Sequence, residues 1–172
     1  MTQRLLSDAK LEDVKIVFRN MEGREGEYNE KGQRNFSIIL EPGIASAMKQ
    51  DGWNVRERQP KPRDDDPNPD IMLHLPVSVS YKYRAPAIYM ITSHGRTHLD
   101  ETTVGLLDFA DIVKVDIILH ASPWEKGDKS GYKAYVKTMF VTILEDDLEL
   151  KYGNVPDIGG PTDEPPWELN ND

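Results

Sequence analysis

Lys133, Tyr135 and Lys137 stand at alternate positions of Gly131-Tyr132-Lys133-Ala134-Tyr135-Val136-Lys137. In an extended strand this spacing puts all three on one face and Tyr132, Ala134 and Val136 on the other. An aromatic ring between two ammonium groups suits single-stranded nucleic acid, because the ring stacks on a base while the cations meet phosphates. Lys126 and Lys129 lie just upstream, and Trp124 before them is a second candidate stacking platform. The plain alternative is a solvated strand face with a cross-strand tyrosine, and this segment alone is compatible with both.

A second basic zone points the same way. Ile71 to Leu99 contains no Asp or Glu, yet holds Lys82, Arg84 and Arg96 interleaved with Tyr81, Tyr83 and Tyr89. In a chain that is 30% charged, such a stretch is a local positive field. Much of Ile71–Val79 is explained as buried strand, but Tyr81-Lys82-Tyr83-Arg84 reads as loop, where burial does not explain the residue types. Arg19, Arg24 and Arg34 flank a Gly-containing loop and would extend a groove.

Other chemistries find no support. The chain has no Cys, which excludes disulfides and thiolate metal sites and fits a reducing cytoplasm. His94 and His98 have the i, i+4 spacing of a metal pair, with Asp100 nearby, but Gly95 and the strand context oppose the helix that would bring them together. Asp64-Asp65-Asp66 sits in a Pro-rich loop, poorly organised for the near-octahedral geometry of magnesium. No Gly-rich phosphate loop of standard spacing occurs. The expectation is a non-enzyme with no cofactor and no bound metal.

The elements that must position these groups are mostly strands. Val14, Ile16 and Phe18 alternate on one face, as do Phe36, Ile38 and Leu40. Pro42 opens a short helix that Gly52 closes. Residues 56–70 read as a Pro-rich loop. Residues 71–81 alternate clearly, with Pro76 marking an edge or a bulge where a second copy of the chain could pair. Ala87–Ser93 reads as its hairpin partner, and His94-Gly95-Arg96 as a turn. Asp100 caps a helix reaching Phe109, with Val104, Leu107 and Phe109 buried. Ile112–His120 is a strand with Val113, Val115, Ile117 and Leu119 on one face, and Tyr132–Ile143 is the final strand. About six strands and two short helices predict a mainly β fold, an OB-like five- or six-stranded barrel.

Charge divides the chain. Residues 1–144 hold 20 Lys/Arg and 21 Asp/Glu, whereas residues 145–172 hold 9 acids against Lys151 alone. The expected organisation is a nucleic-acid-binding domain over 1–152 and a disordered acidic tail over 153–172, with residues 145–152 a short acidic helix. Within the tail, Trp167, Glu168 and Leu169 form a candidate partner-binding peptide. Met1–Ser7 lacks the apolar stretch of a signal peptide, and no apolar run approaches the ~20 residues of a membrane span.

Several segments resemble a family of small actinobacteriophage and mobile-element proteins. They are Phe18-Arg19-Asn20 with Gly23-Arg24-Glu25-Gly26, Arg34-Asn35-Phe36, Asp51-Gly52-Trp53-Asn54-Val55, Ile91 to Thr97 and Gly131 to Ile143. The layout is also similar to phage T7-type single-stranded DNA-binding proteins, an OB fold with an acidic, aromatic-bearing C-terminal tail. These resemblances imply a protein of the bacterial host cytoplasm that coats single-stranded DNA during phage replication or recombination. Its tail would compete with DNA and recruit replication or recombination proteins. A homodimer is compatible with this layout. The rival expectation is a phage protein that binds and inhibits a host protein, as a defence antagonist or DNA mimic.

Overall fold

The computed structural model describes residues 5–27, 29–82 and 84–145. Among these are eight strands: β1 Ala9–Asn20, β2 Arg34–Ile39, β3 Arg56–Arg58, β4 Met72–Val79, β5 Ala87–Thr92, β6 Gly95–Leu99, β7 Ile112–Lys126 and β8 Lys129–Ile143. One α-helix, α1 (Pro42–Asp51), follows β2, and a 3-10 turn spans Val104–Asp108.

The antiparallel run β4-β2-β1-β7-β8 closes on itself when β8 meets β4 in parallel through Val77–Ala134 and Ser78–Tyr135. The result is the expected OB-like barrel of five strands. At the seam, β4 and β8 part in opposite directions. The free side of β4 is taken by β3 at residues 72–74, and that of β8 by β5 at residues 138–142. β5 therefore pairs in parallel with β8 and antiparallel with β6, not with β4 as the hairpin reading has it.

Pro76 lies in the gap this parting leaves, not on an open edge. Leu40 N–H donates to Leu73 C=O across the β2–β4 ladder, 2.8 Å. The odd residues of β4 thus bond toward β2 and the even ones away from it. Pro76, which has no N–H, faces away from β2, between the last β3 pair and the first β8 pair. The described sheet's outer edges are β3 and β6.

The core fills the barrel with Phe36, Ile38, Leu75, Val77, Val115, Ile117, Leu119, Ala134, Met139 and Val141. The alternations expected for β2 and β4 hold, and that of β8 holds over 132–137, after which a slip opposite Ile118 and Leu119 moves the inward positions to Met139 and Val141. That of β1 holds only to Ile16. Asp13 and Phe18 adopt positive φ, 51° and 55°, and the register slips at both places. The first bulge lies where β1 passes from its β7 pairing to β2, and the second, inside the β2 ladder, turns Phe18 outward, 48% exposed. A similar slip between Ile112 and Lys114 leaves Val113 exposed.

Two further expectations change. The 100–109 segment forms a turn and a 3-10 helix, with Val104 and Leu107 buried but Phe109 75% exposed. Asp100 does not cap the 3-10 helix, whose N-cap position is Thr103 without a side-chain cap; its carboxylate closes the preceding turn instead, accepting from the Thr102 and Thr103 N–H groups. These hydrogen bonds, the Thr102 hydroxyl's foremost, hold its carboxyl below the ordinary range. The 56–70 loop begins with the short strand β3.

α1 begins at Pro42 and ends at Gly52, φ 102°, whose N–H reaches back to the Lys49 and Met48 carbonyls. Gly52 C=O accepts from Tyr132 N–H at 2.9 Å, so the helix end is fastened to the start of β8. Trp53, 5% exposed, bridges to Tyr132 beside it.

Candidate nucleic-acid interface

The outer surface of β2, β4 and β8 carries an open groove along the barrel seam. One part is lined by Asn29 to Asn35 of the β1–β2 loop and β2, Ser78 to Lys82 at the end of β4, Glu101, Lys133 and Tyr135. The adjoining part is lined by Asn35, Asn54, Arg56, Pro76, Ser78, Trp124 and Lys133. The two share Asn35, Ser78 and Lys133, so they are one continuous surface.

Tyr135 sits at the seam opposite Ser78, half-buried, on the outward face as its alternation requires. Lys133 is exposed, and its Nζ lies 5.2 Å from the Tyr135 ring centroid. This ring-plus-ammonium pair is the arrangement that stacking with phosphate contact requires. Trp124, 40% exposed, stands at the other part of the groove. It faces Gly131 across the β7–β8 ladder, and a side chain there would come within 3.1 Å of the indole. The glycine thus makes room for the ring to lie against the strand. Lys126 and Lys129 face each other, exposed, across the Gly127–Asp128 turn.

The β1–β2 loop is tied down by side-chain amides. Asn20 Oδ1 accepts from the Gly23 and Arg24 N–H groups, Asn29 Nδ2 donates to the Arg24, Glu30 and Gln33 carbonyls, and Asn35 Nδ2 donates to Asn29 Oδ1 at 2.7 Å. The buried carboxylate of Asp108 accepts from the Met21 and Glu22 N–H groups. One wall of the groove is therefore pre-organised.

The remaining sequence candidates divide. Lys82 lines the groove and is exposed; Arg84 is exposed close by. Arg34 lies under the groove, 5.4 Å over the Tyr81 ring and 3.8 Å from Glu101. Burial pushes the Tyr81 phenol up to about 12, and its hydroxyl has no partner among the described residues. Arg19 instead donates to the Leu107 and Ala110 carbonyls, at 2.6 and 2.8 Å, anchoring the 3-10 turn. Arg24 pairs with Asp108 and lies over Phe109. Arg96 is on β6, over Tyr89, two strands from β8 and outside the groove. Lys137 shares the outer face of β8 but is bound to Asp8. Tyr83, Trp167, Glu168, Leu169 and the 146–152 part of the expected acidic helix lie outside the described residues.

Sequence reasoning missed Asn35, Asn54, Arg56 and Pro76 as groove residues. Only their strand pairing, across β2, β3 and β4, brings them together. It also missed the cluster of Phe18, His74 and Arg58 beyond Arg56, in which the two rings meet edge-on. There the Phe18 and His74 centroids are 5.9 Å apart and Arg58 is 4.8 Å over Phe18. Burial, then Arg56 and Arg58, lowers the His74 pKa. Among the described residues no group of three or more His, Asp or Glu could hold a metal ion, and no helix is long and apolar enough to cross a membrane.

Residues 1–163 match the model of a family described as "Putative phage ssDNA-binding domain". The chain belongs to that family. Among solved structures, this phage ssDNA-binding domain is similar to the single-stranded DNA-binding protein of bacteriophage Enc34 at 9% identity and a TM-score of 0.47, covering 91% of this chain and 87% of that one. A C-terminal truncation of the Enc34 protein gives 8% identity and the same TM-score, covering 81% of this chain and 87% of that one. No curated protein sequence matches the chain.

Proposed function

We propose that this member of the family coats single-stranded DNA during phage replication or recombination, holding the strand in the groove along β2, β4 and β8. The observation that carries the reading is the Tyr135–Lys133 pair at the seam, flanked by Trp124, Arg56 and Lys82. With Arg34 and Glu101 paired to each other, the remaining lining cations Lys31, Arg56, Lys82 and Lys133 outnumber the acid Glu30. That balance favours phosphate and speaks against a DNA mimic. Stacking and charge suit weak sequence preference.

In this reading the body, 1–152, binds DNA. The acidic segment 153–172 competes for the groove and, through Trp167, Glu168 and Leu169, recruits replication or recombination proteins. The edges β3 and β6 are where a second copy would add to the sheet. Fluorescence anisotropy of labelled oligo-dT beside a duplex of equal length, on the full chain and on a 1–144 truncation, tests it. Salt-sensitive binding to the single strand, tighter after truncation, is the expected result. Absence of binding by both chains would discard the reading, and unchanged affinity on truncation would discard the tail's competition.

A further inference from the structure

Phe18 combines three properties that rarely coincide. It is a bulky apolar residue, it is 48% exposed, and its φ of 55° lies in the left-handed region that such side chains avoid. A ring placed outward at the expense of backbone strain points to a use for the ring. The bulge between Val17 and Asn20 causes the placement, because it reverses the alternation that would have sent Phe18 into the barrel.

Its neighbours come from two other strands. His74 of β4 meets the ring edge-on and is fixed by a 3.1 Å contact between Nδ1 and the Ser37 hydroxyl. Arg58 of β3 lies 4.8 Å over the ring. Arg56, two residues earlier on the same face of β3, already lines the groove beside Pro76, and Pro76 is two residues from His74 on the outer face of β4. Glu57, between the two arginines, alternates to the other face. The surface therefore runs from Tyr135 and Lys133, past Pro76 and Arg56, to Phe18.

We propose that Phe18, flanked by Arg58 and His74, is a second base-stacking station at the β3 end of the groove; this rests on the single-strand reading above. A base reaching this end displaces Arg58 from the ring face, since stacking of a base on an aromatic outweighs an exposed cation–π contact. The freed guanidinium then meets the adjoining phosphate. A strand long enough to reach both ends gains from the station, and a short one held at Tyr135 does not.

The test uses labelled (dT)4 and (dT)16, matching the range of about 4–16 nucleotides that OB folds cover. Wild type is compared with Phe18→Leu, which keeps an apolar cover without a π face, and Phe18→Gly, which relieves the strained φ. Both variants are expected to bind (dT)16 about ten-fold more weakly and (dT)4 as wild type does. Phe18→Gly is expected to melt no lower than wild type. Ultraviolet cross-linking of (dT)16 to the unmodified protein is expected to label the peptide containing Phe18. Unchanged (dT)16 affinity in the variants, an equal loss on (dT)4, or no label at Phe18 would overturn the station while leaving the function reading in place. Failure of wild type to bind (dT)16 would overturn both.

Discussion

Lys137 Nζ lies 2.7 Å from Asp8 Oδ2, and His120 Nδ1 lies 3.4 Å from the other oxygen of the same carboxylate. One of the three residues that define the outer face of β8 is thus matched by an acid from the lead-in to β1. The Lys137 hydrogen bond, aided by His120 and opposed by burial, holds the Asp8 carboxyl below its ordinary 3.8. A depressed carboxyl stabilises the fold above the unfolded-state pKa, and that contribution is lost as pH falls through the folded value. The pair is therefore intact at neutral pH and opens only in acid. Asp8→Asn releases the ammonium at neutral pH. Single-strand affinity at low salt is expected to rise about two- to five-fold, and the log–log salt slope to steepen by about 0.7, the increment for one added phosphate contact. Anisotropy titrations at several salt concentrations read both.

Tyr135 and Lys133 share a site but contribute differently. Removing the ring by Tyr135→Ala removes stacking, about 1–3 kcal/mol per base, so a loss of roughly ten-fold or more is expected with little change in salt slope. Lys133→Ala removes one phosphate contact, so the slope is expected to flatten by about 0.7. Reversal of the two patterns would mean that the lysine positions the ring and the ring contacts no base.

How much of this was legible in the sequence depends on whether a strand keeps its parity. Tyr132 to Val136 alternate without interruption, and both faces of β8 were readable there. The same held for Phe36, Ile38 and Leu40. In β1 the slip at Phe18 leaves no mark in composition, so the period of the sequence places inward an apolar residue that stands outside. Val113 fails for the same reason. β6, Gly-Arg-Thr-His-Leu, has no apolar period and becomes a strand only through pairing with β5. The β5–β8 and β4–β8 parallel pairs join segments more than fifty residues apart, and local pattern carries no information about which edge a strand will find. The groove is a product of those pairings. Its cations and aromatics were legible by type, while Arg19 and Arg96 were drawn elsewhere by the Leu107 and Ala110 carbonyls and by Tyr89.

Tyr81 carries a buried hydroxyl with no partner among the described residues, while its ring supports Arg34. Tyr81→Phe keeps the ring and removes the unpaired group, so stability is expected to hold or rise by about 1 kcal/mol in urea denaturation. The wild-type phenol, raised by burial to about 12, stays protonated in the folded state while the unfolded chain titrates near 10. Burial thus adds no pH-dependent penalty below pH 10, and stability declines as pH rises from about 10 to about 12, where the unfolded chain ionises and the buried phenol does not. Tyr81→Phe is expected to lack that part of the alkaline loss. A drop in stability at neutral pH would mean that the hydroxyl is hydrogen-bonded after all.

Gly52 joins the helix end to the strand that carries the interface. Its φ of 102° is strained for any side chain, and a Cβ there would lie 2.9 Å from the Tyr132 ring. That ring is buried, 5% exposed, and has no open side to move into. Gly52→Ala is expected to destabilise by about 2–3 kcal/mol, combining the left-handed penalty with the overpacking. In a chain of this size that lowers the melting temperature by roughly 5–10 °C. Gly43→Ala is the matched control: it lies in the first turn of α1 with open space around it, so its melting temperature is expected to stay level or rise. Because Gly52 C=O also receives the Tyr132 N–H, one residue before Lys133, the Gly52→Ala strain is passed into β8. Single-strand affinity should fall in that variant even well below its melting temperature. Circular dichroism melts paired with anisotropy at 20 °C separate the two effects, and full affinity in a chain that melts early would show that the helix cap supports the fold without shaping the groove.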